Sequence, residues 1–280
     1  MPFPVDALTS PTLKHLREQW WDDDFTAFLA ETLRPRAGNR ILDVGCGQGG
    51  AEVRLGRLQI SQIALHGVDV KVDEVIAAAH EVAAHNQRAR FAAGDACRLP
   101  FASRSFDSTF CVAVLQHIAD VTSAIREFAR VTRPGGRVIV VEPDNAARYA
   151  YTSSPNGQSA FRLAAELFAA AAIARADNTD AAIGVRVPEL FASEGIEPLD
   201  VRIFPVSHIQ IGEPPDDLWR LRRQAVEALL PTATAAVKAL VQRYLTALQA
   251  YEADARAGGA AFFEIQNTLL FATVGQNSES

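Results

Sequence analysis

Apolar and polar positions along this chain follow two periods. Between residues 12 and 33, Leu13, Leu16, Trp20, Phe28 and Leu29 recur at near-helical spacing, and Pro35-Arg36-Ala37-Gly38-Asn39 stops the pattern. This predicts an amphipathic leader helix. From Arg40 onward, short apolar runs ending in Gly or Asp alternate with longer helical stretches, an order that predicts βαβ units and a parallel sheet. Strands are expected at 41–44, 63–69, 89–93, 108–112 and 137–142. Helices are expected at 50–58, 72–85 and 121–130, with Arg133-Pro134-Gly135-Gly136 as the turn into the fifth strand. After Asn145 the alternation lapses, and 159–175 reads as an Ala-rich helix. Two later strands, 199–211 and 261–274, flank a helical block at 216–257 that Pro231 interrupts, which predicts an antiparallel pair holding a helical insertion.

Composition narrows the class. The chain has 280 residues, 49% hydrophobic and 21% charged, which is ordinary globular usage and excludes disorder, collagen and coiled coil. With 27 Lys+Arg against 33 Asp+Glu the formal charge is -6, so nucleic acid is not an expected partner. Cys46, Cys97 and Cys111 are widely spaced with no C-x-x-C pair, which fits a reducing compartment and no metal site. No apolar run approaches a membrane span, and the first residues lack the pattern of a signal peptide. A cytoplasmic protein with no membrane partner is expected.

The stretch Ile41-Leu42-Asp43-Val44-Gly45-Cys46-Gly47-Gln48-Gly49-Gly50 carries the most information. An apolar strand runs into glycines and then a helix, so backbone N–H groups and a helix N-terminus face the ligand. Gly45, Gly47 and Gly50, with Asp69 further on, also satisfy the dinucleotide pattern G-x-G-x-x-G. Charge separates the two readings. Asp43 precedes the first glycine by two residues, and a pyrophosphate at contact distance from it would be repelled by roughly 1–4 kcal/mol. A cationic ligand would instead be favoured.

Four elements occur in order: Leu42-Asp43-Val44-Gly45-Cys46-Gly47-Gln48-Gly49; Gly67-Val68-Asp69; Gly94-Asp95-Ala96-Cys97-Arg98-Leu99-Pro100-Phe101; and Arg130-Val131-Thr132-Arg133-Pro134-Gly135-Gly136. In this ordered set the chain resembles a class I S-adenosylmethionine-dependent methyltransferase, near the small-molecule branch that includes quinone-biosynthesis C-methyltransferases and natural-product O-methyltransferases. The resemblance covers about 40–145 well and the rest loosely. It implies an α/β, Rossmann-like, seven-stranded, mostly parallel sheet with an antiparallel last hairpin, helices on both faces and a helical lid. The implied layout is a leader helix covering the cofactor at 1–36, a cofactor-binding core at 37–146, a helical insertion and return helix at 147–198, and a late strand pair at 199–275 with a lid at 213–258.

By the same resemblance, S-adenosyl-L-methionine is the cofactor, held at Asp43, Gly45, Cys46 and Gly47. Asp69 would accept both ribose hydroxyls beside Val70, and Asp95 would accept from the adenine amino group, with the Ala96 N–H donating to the ring. The Cys111 backbone would pass under the methionine part, with Arg17 or Trp21 of the leader over the cofactor. Cys46 by itself reads as a small packed residue with no chemistry of its own.

Methyl transfer is an in-line displacement from a good leaving group, so positioning dominates, with a base added when the acceptor is protonated. Gln116-His117 follows the fourth strand and resembles a Leu-His-His stretch used for proton abstraction, with Gln116 at the first His position. His117 is the candidate catalytic base, and Glu142, at the next strand end, its candidate partner. Each also reads structurally, as a loop-closing imidazole and a cap. Phe161, Phe168, Trp219 and Phe262 could line a lid or form plain core, and Arg220-Leu221-Arg222-Arg223 reads as a solvated helix face or as a contact for an anionic substrate group.

The expected function is methyl transfer to an O, N or C nucleophile of a small, partly apolar metabolite. An NAD-dependent oxidoreductase and a non-catalytic cofactor-binding protein are the alternatives. The expected partner is a small-molecule substrate, and the sequence is compatible with a homodimer.

Overall fold

The computed structural model describes residues 20–57, 63–85, 87–175 and 178–278. Arg17 and the first half of the expected leader helix lie outside them. Helix α1 spans Asp23–Leu33 and begins where the Asp22 carboxylate accepts the Phe25 N–H at 2.7 Å. It buries Phe25, Phe28, Leu29 and Leu33 and ends at Arg34 in the left-handed region, φ 45°. There follow β1 (Arg40–Val44), α2 (Gly50–Arg57), β2 (Ala64–Asp69), α3 (Val72–Ala84), β3 (Ala89–Ala93) and β4 (Phe106–Val112). A short 3₁₀ turn, Leu115–His117, leads to α4 (Val121–Val131) and β5 (Thr132–Thr152). Then come α5 (Pro155–Arg175), α6 (Val187–Ser193), β6 (Ile196–Ile211), α7 (Asp216–Glu227), α8 (Ala235–Gly258) and β7 (Phe263–Asn277).

The seven strands form one sheet in the order β3-β2-β1-β4-β5-β7-β6. Strands β1 to β5 pair in parallel. Strand β7 runs antiparallel to both neighbours. Its start meets the end of β5, where the Ser153 N–H donates to Phe263 O at 2.9 Å, and its end meets the start of β5, where Asn277 Nδ2 donates to Thr132 O at 2.6 Å. On its other side Gly212 N–H donates to Phe262 O and Ser278 N–H to Gly195 O. The mostly parallel sheet with its antiparallel last pair is the one the sequence predicts.

Two extents differ from expectation. Strand β5 starts at Thr132, and Arg133-Pro134-Gly135-Gly136 forms a bulge within it: Phe106 pairs with Thr132, and Ser108 next with Arg137. It also runs past Glu142 to Thr152, because the ladder with β7 continues to satisfy its backbone where the side-chain alternation has lapsed.

The described residues divide into two compact units. One holds Trp21–Asp144, Asn178–Phe204 and Leu270–Ser280. Its core gathers Leu42, Val44, Val68, Cys111, Phe128, Val138, Val140 and Phe191. Arg130 pins the loop after β3, donating to Phe101 O and Leu99 O while paired with Glu127 at 2.6 Å.

The other unit holds Asn145–Asp177 and Pro205–Leu269, with α5, α7 and α8 packed round Ala160, Leu167, Trp219, Val241, Leu248 and Tyr251. Trp219 and Phe262, expected to line a lid, are buried in this core, whereas Phe168 is exposed. The run Arg220–Arg223 is likewise not simply a solvated face. Arg222, its side chain 12% exposed, pairs with the fully buried Glu264 at 2.5 Å, with Tyr251 Oη donating to the same carboxylate and the Trp219 ring 5.0 Å from the guanidinium. Arg220, paired with exposed Asp217, and Arg223, 39% exposed and paired with Glu252, behave as the pattern suggested.

Candidate cofactor site

The turn leaving β1 is built by glycines in a conformation that side chains resist. Gly45, Gly47 and Gly49 have φ of 75°, 49° and 80°. A Cβ on Gly45 would fall on the Val114 side chain, and one on Gly49 would press on Ala78 of α3. The turn is held to β2 by Gly45 N–H and Cys46 N–H, both donating to Val68 O, at 2.7 and 3.1 Å. Helix α2 starts directly after it, so its unpaired N-terminal amides open on the same end of the sheet.

Asp69 ends β2 beside this turn. One oxygen accepts Gly47 N–H and the other Lys71 N–H, each at 3.0 Å. A carboxylate has about four lone-pair sites, so acceptor capacity remains for a pair of ligand hydroxyls. Gly94 N–H donates to Asp69 O at 2.9 Å and so brings the end of β3 alongside. Next in sequence, Asp95 accepts Cys97 N–H at 2.8 Å through its side chain and Arg98 N–H at 2.9 Å through its carbonyl. Ala96 is half-buried, and Val70 is 71% exposed. Asp43, Gly45, Cys46, Gly47, Asp69, Asp95 and Ala96 thus all stand at the carboxyl ends of adjacent parallel strands, where open α/β sheets bind ligands.

Trp21 is tied to the same region. The Arg54 guanidinium lies 5.1 Å over its ring while Nη1 of Arg54 donates to Gly50 O at 3.0 Å, and Phe25 meets the ring edge at 5.0 Å. Cys111 is fully buried on β4, and burial together with Glu142 and Asp43 pushes its thiol well up, leaving only its backbone for ligand contact. Burial and the acids Asp43, Glu52 and Asp69 raise the Cys46 thiol in the same way.

One residue that sequence reasoning passed over is Glu52. It lies in the first turn of α2, where an acid reads as favourable to the helix dipole and solvated. In the structure it is 1% exposed, and its Oε1 lies 2.7 Å from where a Cβ of Gly67 would stand. Neither oxygen has a hydrogen-bond partner. Burial pushes its carboxyl up to about 8. Asp43 is raised as well, by burial first and then by Glu52 and Asp69. No local signal marked it, because an acid in a first helical turn reads the same whether it meets solvent or the sheet.

At the exit of β4, Ala113 takes a left-handed turn, φ 58°, and the chain winds into the Leu115–His117 turn. Glu142 organises it. Its Oε1 accepts Val114 N–H and Leu115 N–H, each at 2.7 Å, and its Oε2 accepts Gln116 N–H at 3.4 Å. Glu142 thus holds the backbone that carries His117, whose side chain is exposed. Among the described residues no three His, Cys, Asp or Glu gather to hold a metal ion, and no helix is long and apolar enough to cross a membrane.

Comparison with known proteins agrees with this geometry. Residues 42–140 match the family described as methyltransferase domain. The chain is 33% identical over 137 residues to 27-O-demethylrifamycin SV methyltransferase of Amycolatopsis mediterranei, covering 45% of this chain and 50% of that protein. It is 34% identical over 135 residues to demethylmenaquinone methyltransferase of Mycobacterium marinum, covering 48% of this chain and 53% of that one. The chain therefore spans about half the length of these curated relatives. Its fold is similar to the crystal structure of the YcgJ protein of Bacillus subtilis, with TM-score 0.56 and 18% identity over 91% of this chain and 98% of that one. Over residues 42–140 the chain is thus similar to methyltransferase domains, and over most of its length it shares their fold.

Proposed function

We propose that the protein transfers a methyl group from S-adenosyl-L-methionine to a nucleophilic atom of a small, partly apolar metabolite. The observation that carries this reading is the acid-floored glycine turn: Asp43 and Glu52 buried under Gly45–Gly49, with Asp69 at the next strand end. A ligand bearing an ammonium and a sulfonium draws Asp43 and Glu52 toward their ionised form, whereas a pyrophosphate would add negative charge beside them. The dinucleotide alternative is accordingly not favoured. The names of the curated relatives, acting on a rifamycin and on a menaquinone precursor, support a small-molecule acceptor.

The bound cofactor supplies an electrophilic methyl. Asp69 would hold its ribose, Asp95 and the Ala96 N–H its adenine, and the turn Gly45–Gly47 its methionine end, with Trp21 beside the site. His117 is the candidate base for a protonated acceptor. Glu142 is a positioning residue that fixes the turn on which His117 stands. The protein works in the cytoplasm.

Calorimetry tests the reading. S-adenosylhomocysteine should bind with low-micromolar affinity, on the order of 8 kcal/mol, and Asp69→Ala should weaken it by more than about 1 kcal/mol. Binding of NADH without binding of S-adenosylhomocysteine would refute it.

A further inference from the structure

Among the described residues the floor of the glycine turn contains two buried acids and no cation paired with either. Asp43 stands opposite Gly67 in the β1–β2 ladder, and Glu52 reaches over the same Gly67 from α2, so both carboxyls are buried at one rung of the sheet. The groups facing them are Asp69 from the end of β2, the Cys46 thiol from the turn and the apolar Phe91 ring from β3. Arg54, the nearby cation on α2, is committed to the Trp21 ring and Gly50 O. Neither Asp43 nor Glu52 forms an ion pair among the described residues, and both Glu52 oxygens lack any hydrogen-bond partner, an arrangement that a buried carboxylate pair does not sustain with both members ionised. The space above them is where the methyl donor's methionine end is placed by the reading given above.

Resting on that reading, we propose that Asp43 and Glu52 share a proton in the unliganded protein and release it when the α-ammonium of the cofactor binds, so that cofactor capture is coupled to proton loss. In this step a carboxyl O–H bond breaks, its electron pair stays on oxygen and the proton passes to buffer. No bond forms to the ligand, and the carboxylate charge gained balances the ammonium charge brought in. Glu52 thereby becomes part of the recognition of a cationic donor, although its oxygens lie beneath the turn and not in its rim.

The experiment is titration of the full chain with S-adenosylhomocysteine at pH 6.5, in two buffers of different ionisation enthalpy, so that the dependence of the heat on buffer counts protons. The ligand's amine is already protonated there. Wild type should release more than about half a proton per ligand bound, and apparent affinity should rise by up to about tenfold per pH unit between pH 5.5 and 7.5. Glu52→Gln should cut the release below about 0.2 proton, and adenosine, which lacks the ammonium, should release none from wild type. Should Glu52→Gln fail to fold, the wild-type count and the adenosine comparison decide alone. Binding of S-adenosylhomocysteine without proton release, or with release undiminished in Glu52→Gln, overturns the proposal and leaves the methyltransferase reading intact. Absence of any binding overturns both.

Discussion

Glu142 and Glu52 are both fully buried acids, and their surroundings treat them oppositely. Glu142 accepts backbone N–H groups with both oxygens, whereas Glu52 accepts none. Glu142→Ala should therefore strand the Val114 and Leu115 donors and destabilise the fold by about 1–3 kcal/mol in urea denaturation, with activity lost alongside. His117→Ala touches an exposed side chain and should change stability by less than about 0.5 kcal/mol. If the acceptor is a hydroxyl, the same variant should lower kcat by roughly 10²–10⁴ with cofactor affinity kept. For Glu52 the sign of the pH effect follows from its raised carboxyl, from 4.5 to about 8. Below about pH 4.5 folded and unfolded chains both carry the proton. Between that pH and about 8 the unfolded chain releases it while the folded one keeps it, so stability is lost as pH rises, by up to about 1.4 kcal/mol per pH unit. Chemical denaturation of the unliganded protein across this window should show that decline, and Glu52→Gln should flatten it.

Among the elements, the glycine turn and the strand it leaves are the most sharply determined. Gly45 combines a positive φ with contact against Val114, while Gly47 has positive φ and open space round its Cβ position. Gly45→Ala should then cost about 2–3 kcal/mol and displace the turn that Glu142 organises, while Gly47→Ala should cost only the backbone strain, about 1 kcal/mol. Thermal unfolding and S-adenosylhomocysteine affinity, measured on both, separate the two effects. The existence of β1 to β4 was legible from apolar runs bounded by Gly and Asp. The length of β5 was not, because residues 143–152 are held as strand by the β7 ladder, a contact more than a hundred residues away in sequence.

At the scale of the whole molecule the described residues include a core against the sheet and another among α5, α7 and α8. The second is organised round a buried ion pair, Arg222 with Glu264, enclosed by Trp219 and Tyr251. Glu264→Ala should leave the guanidinium buried and unpaired, at a cost of about 3–5 kcal/mol. Far-UV circular dichroism on heating should show the helical unit melting earlier. S-adenosylhomocysteine affinity should stay within a few-fold, because the proposed cofactor residues belong to the other unit.

The sequence by itself determined the order of elements, the glycine turn, and Asp43, Asp69 and Asp95 at successive strand ends, because local periodicity and turn chemistry act over a few residues and leave a readable pattern. Tertiary structure alone decided the burial of Glu52 and Arg222 and the duty of Glu142. Each is a charged residue on a helix or at a strand end, with the same local signature whether it meets solvent, a backbone amide or another charge. What it meets is set by residues distant in the chain: Gly67 for Glu52, Glu264 for Arg222, and the Val114–Gln116 amides for Glu142.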